Sequence, residues 1–289
     1  MTPQKVNLIY IGPMGYSGST LLDLILNQHE EIQSVGELIF YDRWRKDNLL
    51  CSCSKPIDEC AFWNKVQKML PDDFRLHGEL SRLKTFTGLD FFTKNLSSAY
   101  FEQTYKLVDK VSRISSVKYV LDSSKSVGRL EKLAEGKQVI NLKVIHLIRN
   151  GKSVVQSSLK EKARPSYDND QKTSTRSAYK TALRWFLVNR RMKKVINKFS
   201  LDSIEIRYED LINDPQDELN RIFSFLDLEA MEITNTIDNS NIHNISGSRW
   251  RFDNQIEIVQ TKQNHNLSGY QNFIFNLIAG NLYKSYGYK

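Results

Sequence analysis

The sequence has 289 residues, of which 40% are hydrophobic and 26% are charged, so it can form one large domain with a full core. Its formal charge of +8, from 41 basic and 33 acidic side chains, suits an anionic ligand, but it also suits nucleic acid or an acidic membrane. No apolar run approaches the roughly 20 residues of a membrane-spanning helix, and the first residues lack a signal-peptide pattern. We therefore expect a cytoplasmic protein without a membrane span, folded as a single domain over residues 1–289.

The first predicted elements are a buried strand at residues 6–11, a glycine-rich loop, and a helix that begins near residue 19. Glycines let backbone N–H groups turn toward a ligand, and the first N–H groups of a helix lack internal partners and lie at its positive end. An ordinary tight turn needs fewer hydroxyl groups than this loop carries, so the pattern predicts a phosphate or sulfate site. Its residues are Gly12, Gly15, Ser17, Gly18, Ser19 and Thr20.

The details of the loop indicate which anion it binds. A nucleoside triphosphate loop has a lysine before its final serine or threonine, and Gly18 holds that place here, which argues against ATP with magnesium. The segment SGST followed by LLDLIL instead resembles the 5′-phosphosulfate loop of sulfotransferases that use 3′-phosphoadenosine-5′-phosphosulfate (PAPS), including the tyrosylprotein and many bacterial enzymes. The resemblance implies that Gly15 to Thr20 bind PAPS and that Glu37, after a predicted strand at 32–36, is the catalytic base.

One position departs from the pattern of these sulfotransferases. The basic residue that precedes SGST in the family is Tyr16 here, so another group has to stabilise charge on the leaving phosphate oxygen. We consider two candidates, the hydroxyl group of Tyr16 and the side chain of Lys125. The resemblance favours Lys125, because a lysine at the corresponding place contacts the sulfate in the tyrosylprotein enzymes.

Three cysteines, Cys51, Cys53 and Cys60, lie in one short segment. They suggest a zinc or redox site, but a closed zinc site needs a fourth ligand, and His77 is the only histidine moderately near in sequence. The simpler interpretation is a loop of reduced thiols before the aromatic pair Phe62-Trp63. A similar segment occurs in bacterial sulfotransferases, without implying a role for the cysteines.

Two regions have weak or mixed patterns. Residues 40–115 are predicted to form a helical insertion that packs on the edge of the sheet, with a short helix around residues 62–70. Residues 162–178 are the most polar stretch and are predicted to form a mobile loop, which suits a lid over the acceptor. Both regions are the natural candidates for shaping an acceptor pocket.

A strand at residues 117–121 is followed by the polar sequence Asp122-Ser123-Ser124-Lys125. Open α/β sheets bind ligands just beyond the carboxyl ends of their strands, so this cluster is a second candidate for the site. Ser123 or Ser124 also suits the N-cap of a helix at residues 127–133. The two interpretations are compatible, with a hydroxyl group capping the helix while Lys125 faces the ligand.

The most apolar strand, at residues 142–148, ends directly before Arg149, and Ser157 follows eight residues later on a predicted helix. In sulfotransferases an arginine and a serine with this spacing hold the 3′-phosphate, and the resemblance assigns that role here. The guanidinium group offers a planar fork to two phosphate oxygens, and the hydroxyl group reaches a third. His146 alternates inward within the strand and is predicted to be a core residue.

The C-terminal part continues the resemblance through the sequence RYEDL and a later glycine-serine loop. A helix at 178–199 carries a basic run that we read as a solvated face and not as a nucleic-acid site. Tyr208 is predicted to lie beside the nucleotide, while Glu209 and Asp210 cap and pair locally. The loop that folds over the 3′-phosphate in bacterial relatives corresponds to Gly247, Ser248, Arg249 and Arg251, with Arg251 the positional match and Arg249 the spare.

These observations predict a P-loop-like three-layer α/β fold with a mostly parallel central sheet flanked by helices. Its strands are expected near residues 6–11, 32–36, 117–121, 142–148 and 203–207. The resemblance implies transfer of a sulfuryl group from PAPS to the hydroxyl group of a small molecule, sugar, lipid or peptidyl tyrosine, with no metal required. The alternatives are a kinase-like phosphotransferase with a divergent loop, and a protein that binds PAPS or adenosine 3′,5′-bisphosphate (PAP) without catalysis.

Overall fold

Five parallel strands form the centre of the fold in a computed structural model, which describes residues 5–76, 100–136, 138–159, 177–234, 236–239, 242–258 and 267–289, and the backbone of 83–84 and 90–91. The sheet order is β2-β5-β1-β6-β7, so the first strand lies in the middle. All five lie within about two residues of their predicted positions. The strands are β1 Val6–Gly12, β2 Ile32–Ser34, β5 Tyr119–Asp122, β6 Ile140–Ile148 and β7 Asp202–Arg207, while β3 Leu83–Lys84 pairs antiparallel with β4 Asp90–Phe91 and β8 Thr236–Asp238 with β9 Gln255–Glu257.

Helices cover both faces of this sheet, because successive residues of a strand point to opposite sides. On β1, Leu8 and Tyr10 belong to one hydrophobic cluster, and Ile9 and Ile11 belong to another. The predicted three-layer α/β architecture is therefore confirmed. The helices are α1 Ser19–Leu26, α2 Tyr41–Lys46, α3 Ala61–Lys68, α4 Tyr100–Ser115, α5 Val127–Glu135, α6 Gly151–Leu159, α7 Ala178–Phe199, α8 Tyr208–Asn213, α9 Pro215–Phe225 and α10 Gly269–Ser285.

The region 40–115 differs from its prediction in two ways. Helix α4 buries Leu107, Val108 and Val111 in the same cluster as Leu8, so it packs on a face of the sheet and not on its edge. The region is also not wholly helical, because β3 and β4 pair as antiparallel strands within it. A hydrophobic spacing of three or four residues does not distinguish a helix from a short strand when only a few apolar residues are present.

The last helix, α10, packs on α6 and α7 through a third cluster that contains Trp185, Phe275 and Tyr283. The prediction for His146 is confirmed: the side chain is fully buried and its Nε2 lies 2.9 Å from Asn189 Oδ1. No helix in the described ranges is long and apolar enough to cross a membrane.

Much of the predicted polar loop at 162–178 lies outside the described residues, as does His77. The basic run of α7 is partly engaged within the protein. Arg191 pairs with Glu131 of α5 at 2.8 Å, and Lys193 pairs with Glu205 of β7 at 3.2 Å. Part of the positive charge of α7 is therefore paired with acidic side chains of α5 and β7.

Candidate functional site

The loop between β1 and α1 is shaped around Gly18. This residue has a φ of +88° and caps α1, and its carbonyl oxygen accepts hydrogen bonds from Leu21 N and Leu22 N at 3.0 and 3.2 Å. A Cβ atom at this position would lie 2.2 Å from the ring of Tyr208, so only glycine fits. Tyr208 therefore packs directly against the glycine loop, and its place beside a nucleotide stays a prediction.

The hydroxyl groups of the loop have different surroundings. Ser17 is buried and donates its hydroxyl hydrogen to Met14 O at 2.8 Å, so this group closes the loop. Ser19 and Thr20 form the first turn of α1, where backbone N–H groups have no partner within the helix. A side chain added at Gly15 would meet no atom within 4 Å, which leaves the outer side of the loop open.

Arg149 joins the end of β6 to this loop. Its NH1 group donates to Tyr16 O at 2.9 Å, and its guanidinium carbon lies 4.5 Å from the centre of the Tyr208 ring. Its Nε atom is buried and has no hydrogen-bond partner among the described residues. Arg149 therefore contacts the glycine loop directly, and one of its donors is left over.

Ser157, the other residue predicted to hold the 3′-phosphate, lies on the helix that follows Arg149. It is half-buried in the second turn of α6, as the predicted helix requires. Within the described part of the chain no hydrogen bond joins its hydroxyl group to Arg149. The short turn from β6 to α6 connects the two residues along the chain. The side chain of Asn150 caps this turn by accepting hydrogen bonds from Lys152 N and Ser153 N.

Glu37 and Lys125, the predicted base and cation, form an ion pair. Lys125 Nζ lies 2.7 Å from Glu37 Oε1, and the two side chains are only 13% and 12% exposed. Lys125 has a φ of +58°, and its backbone N–H donates to Ile11 O at 3.3 Å, beside the start of the glycine loop. The structure thus brings together two residues that are 88 positions apart in sequence.

Asp122, the first residue of the predicted polar cluster and the last of β5, is a buried carboxylate that holds the segment after Glu37. Asp122 accepts hydrogen bonds from Leu38 N at 3.3 Å and from Arg129 Nε at 2.7 Å, and the side chains of Asp122 and Arg129 are fully buried. Arg129 also donates to Tyr100 OH. The only sequence signal was an aspartate at a strand end, and its buried partner on α5 could not be identified without the fold.

The predicted cap of α5 was wrong. Ser126 is the N-cap, and its Oγ accepts from Arg129 N at 3.2 Å. Ser124 instead accepts a hydrogen bond from Ile39 N at 3.0 Å, across 85 positions of sequence. Hydroxyl groups near a helix start are chemically equivalent as caps, and the path of the chain decides which of them is near the helix.

The loop at Gly247, Ser248, Arg249 and Arg251 reaches the glycine loop. A Cβ atom at Gly247 would lie 3.7 Å from Thr20 Oγ1. Arg249 and Ser248 are exposed, whereas Arg251 is 1% exposed, with its guanidinium carbon 4.3 Å from the ring centre of Phe252. Burial lowers the pKa of Arg251 to about 10. Arg249 therefore faces solvent, whereas Arg251, the positional match, lies in the interior, and its assignment to the 3′-phosphate stays a prediction.

Asp23 connects α1 to the same C-terminal segment. Its Oδ1 accepts from Ser34 Oγ and from Asn244 Nδ2, each at 2.6 Å. Burial raises the pKa of Asp23 to about 6, although these hydrogen bonds and the nearby Lys125 act in the opposite direction. A carboxyl group that is costly to ionise therefore lies on α1, the helix that follows the glycine loop.

Glu209 does not pair locally, contrary to the prediction. Its Oε1 accepts from Asn150 N at 2.9 Å, and its Oε2 accepts from Tyr288 OH at 2.5 Å. Asp210 does interact within its own turn, at 3.6 Å from Arg207 Nε. Glu209 therefore fixes the turn that follows Arg149, and it connects that turn to the C-terminus.

Comparisons with known proteins identify the family and the fold of the chain. A profile of the Sulfotransferase family matches residues 9–232. Two solved structures share the fold over 99% of this chain. One is the sulfotransferase domain from the curacin biosynthetic pathway (18% identity, 99% of that chain, TM-score 0.59), and the other is the sulfotransferase domain from the Synechococcus PCC 7002 olefin synthase (19% identity, 96% of that chain, TM-score 0.51). No curated protein matched the sequence significantly.

Proposed function

The chain belongs to the sulfotransferase family, and from this premise we propose that it transfers the sulfuryl group of PAPS to the hydroxyl group of an acceptor. The observation that carries the proposal is the ion pair of Glu37 with Lys125, 2.7 Å apart, beside a glycine loop that leads into α1. A carboxylate that accepts a proton and a cation that stabilises a departing anion are the two groups this chemistry needs.

In this proposal the donor is held at both of its anionic ends. The backbone and hydroxyl groups from Gly15 to Thr20, at the positive end of α1, bind the 5′-phosphosulfate. Arg149 binds the 3′-phosphate with the guanidinium donors that its contact with Tyr16 O leaves over. The other residues assigned to the donor are Ser157, Tyr208, Gly247, Ser248, Arg249 and Arg251, of which Arg251 acts from a buried position.

The transfer step is an in-line displacement. The acceptor oxygen attacks the sulfur atom, and Glu37 takes the proton of the acceptor hydroxyl group. The bond between sulfur and the bridging oxygen breaks, and its electron pair stays with the 5′-phosphate of PAP. Lys125 and the first N–H groups of α1 stabilise that oxygen, and Tyr16 offers its hydroxyl group. A sulfuryl group carries less charge than a phosphoryl group, so the step requires no metal ion.

The ion pair between Glu37 and Lys125 also suggests how the base is released. Lys125 Nζ donates to Glu37 Oε1 and so occupies one oxygen of the proposed base. When the sulfuryl group of PAPS attracts Lys125, an oxygen of Glu37 becomes available to the acceptor. Donor binding is thereby expected to precede productive acceptor binding.

Two readouts distinguish this function from the alternatives. Thermal unfolding is measured with PAP and, separately, with ATP and magnesium, because a ligand that binds only the folded state raises its stability. Transfer from labelled PAPS is then assayed against sugars, lipid alcohols, phenols and tyrosine peptides. We expect stabilisation by PAP alone and transfer to one of these acceptor classes.

Other outcomes contradict the proposal. Stabilisation that requires ATP and magnesium indicates a phosphotransferase, for which the loop lacks the usual lysine before Ser19. Binding of PAP without transfer to any acceptor class indicates a binding protein, in which Tyr16 in place of a basic residue explains the missing turnover.

A further inference from the structure

Three cysteines and one histidine form a cluster outside the donor site. The sulfur atoms of Cys51, Cys53 and Cys60 and a ring nitrogen of His243 all lie within 4.8 Å of one another. Cys51 Sγ and Cys60 Sγ are 3.7 Å apart. His243 Nδ1 lies 3.3 Å from Cys60 Sγ and 3.9 Å from Cys51 Sγ. The fourth ligand that the cysteine segment lacked in sequence is therefore supplied 183 positions later.

The three separations among Cys51, Cys60 and His243 lie close to the edges of a tetrahedral zinc site, and Cys53 Sγ lies within 4.8 Å of the other three atoms. Zinc binds cysteine sulfur at about 2.3 Å and histidine nitrogen at about 2.0 Å, which places two sulfurs about 3.8 Å apart and a sulfur and a nitrogen about 3.5 Å apart. A disulfide requires sulfur atoms at about 2.05 Å, far closer than Cys51 and Cys60. The four atoms are thus arranged around a common centre and not as a bonded pair.

The backbone holds the four ligands in place. Ser52 N donates to Asn244 O at 3.0 Å, and Asn244 N donates to Ser52 Oγ at 2.8 Å, so the cysteine loop is fastened to the residue that follows His243. The ring of His243 stacks on Phe62 at 5.0 Å, with an interplanar angle of 4°. The backbone carbonyl oxygen of His243 accepts a hydrogen bond from Trp63 Nε1 at 2.8 Å. Such support from surrounding groups orients metal ligands.

Burial and charge also fit a structural ion. Cys51 and Cys60 are fully buried, which suits a closed site and not a redox thiol, because reactive cysteines must be accessible. Three thiolates and a neutral histidine around Zn²⁺ carry one net negative charge. The buried guanidinium group of Arg251 interacts electrostatically with Cys51 and offsets that charge.

We propose that Cys51, Cys53, Cys60 and His243 bind a structural Zn²⁺ ion. With four protein ligands the ion has no open position, so it serves the fold and not the sulfuryl transfer. It joins the cysteine loop to the segment that continues through Ile245. Ile245 N donates to Val35 O at 3.1 Å, and Glu37 N donates to Ile245 O at 2.9 Å. The ion therefore secures the strand end that carries Glu37, whichever reaction the protein performs.

The test is the zinc content of the full-length protein, purified in reducing buffer without chelator and measured by elemental mass spectrometry. We expect about one zinc ion per chain, and loss of most of it in Cys60→Ser and His243→Ala. His243→Cys should retain the metal, because a fourth sulfur ligand is acceptable to zinc. His29→Ala is the matched control, since His29 is also buried and hydrogen-bonded but lies outside the cluster, and it should retain the metal.

Binding of cobalt provides a readout that does not depend on the folding of a variant. Protein that has been stripped of metal and then loaded with Co²⁺ should show the intense visible absorption of a tetrahedral site with sulfur ligands. The proposal is overturned if the wild-type protein contains only background amounts of zinc and its cobalt-loaded form lacks this absorption while all three thiols are reduced. A disulfide between Cys51 and Cys60 in the purified protein, or equal zinc content in His243→Ala and His243→Cys, also overturns it.

Discussion

The proposed donor site and the cysteine–histidine cluster are built differently. The donor site takes its loop from nine consecutive residues, 12–20, and leaves N–H groups, hydroxyl groups and one arginine donor available to a ligand. The cluster joins residues 51–60 to His243 and directs its polar atoms at one another. The first region is therefore organised to bind and release a molecule, and the second to hold two distant segments together.

This difference predicts that substitutions in the first region change rates and affinities, whereas substitutions in the second change stability. Both regions meet at the short pairing of Gly36 with Ile245. Gly36 has a φ of +73°, and a Cβ atom there would lie 2.3 Å from Ile245 O, so the two backbones touch directly. The following experiments test how far the two regions act independently.

The largest effect is expected for Glu37→Gln. Removing the proposed base should lower kcat for sulfuryl transfer by about 10²- to 10⁴-fold, the usual contribution of general base catalysis. Stabilisation by PAP should persist, because the donor clamps are intact. Rates with labelled PAPS and saturating acceptor measure the effect, and Glu37→Asp serves as the control that keeps a carboxylate. An unchanged rate in Glu37→Gln removes the assigned role of this residue.

Asp122→Asn should cost about 3–5 kcal/mol of unfolding free energy, because it leaves the fully buried Arg129 without its counter-charge. Urea unfolding measures the loss. The matched control is Asp109→Asn, whose partner Arg113 is 61% exposed, and which should cost less than about 1 kcal/mol. Zinc content should stay the same in both variants. Equal losses in the two variants contradict the structural role of Asp122.

Asp23 links the two regions and should make stability depend on pH. Its pKa of about 6 in the folded state exceeds the ordinary 3.8, so between pH 4 and 6 the folded state binds more protons than the unfolded state. Stability therefore falls as pH rises through this window, by about 3 kcal/mol in total.

Urea unfolding of Asp23→Asn between pH 4 and 7 tests this dependence. Asparagine does not ionise, so the variant should gain about 3 kcal/mol relative to wild type across the window. Asp217→Asn, at an exposed position of α9, controls for the loss of one negative charge. Parallel curves for wild type and Asp23→Asn contradict the prediction.

The smallest effect is expected for Arg149→Lys. Lysine keeps the charge but loses the planar fork and the contact with the Tyr208 ring, so the KM for PAPS should rise about 10- to 100-fold. The value of kcat should change much less. Arg191→Lys, at an ion pair on another part of the surface, is the control. An unchanged KM in Arg149→Lys places the 3′-phosphate elsewhere.

Local patterns were sufficient for the sheet and for the glycine loop. The apolar runs at residues 6–11 and 142–148 and the boundaries of α7 are properties of neighbouring residues, and these govern strand and helix formation directly. The SGST loop was recognisable for the same reason, because an anion site at a helix start uses consecutive backbone groups. Sequence alone thus predicted the architecture, together with the strand, loop and helix start at which we propose that the donor binds.

Contacts across long stretches of chain were not predictable in this way. Ser124 and Ser126 are equally good caps in sequence, and only the path of the chain brings Ser124 to Ile39. Arg249 and Arg251 are two residues apart, and the turn between them decides that Arg251 is buried. The cysteines had no visible fourth partner, because folding brings His243 to them across 183 positions. Residue type and spacing encode local geometry, whereas packing of the whole chain sets which distant groups meet.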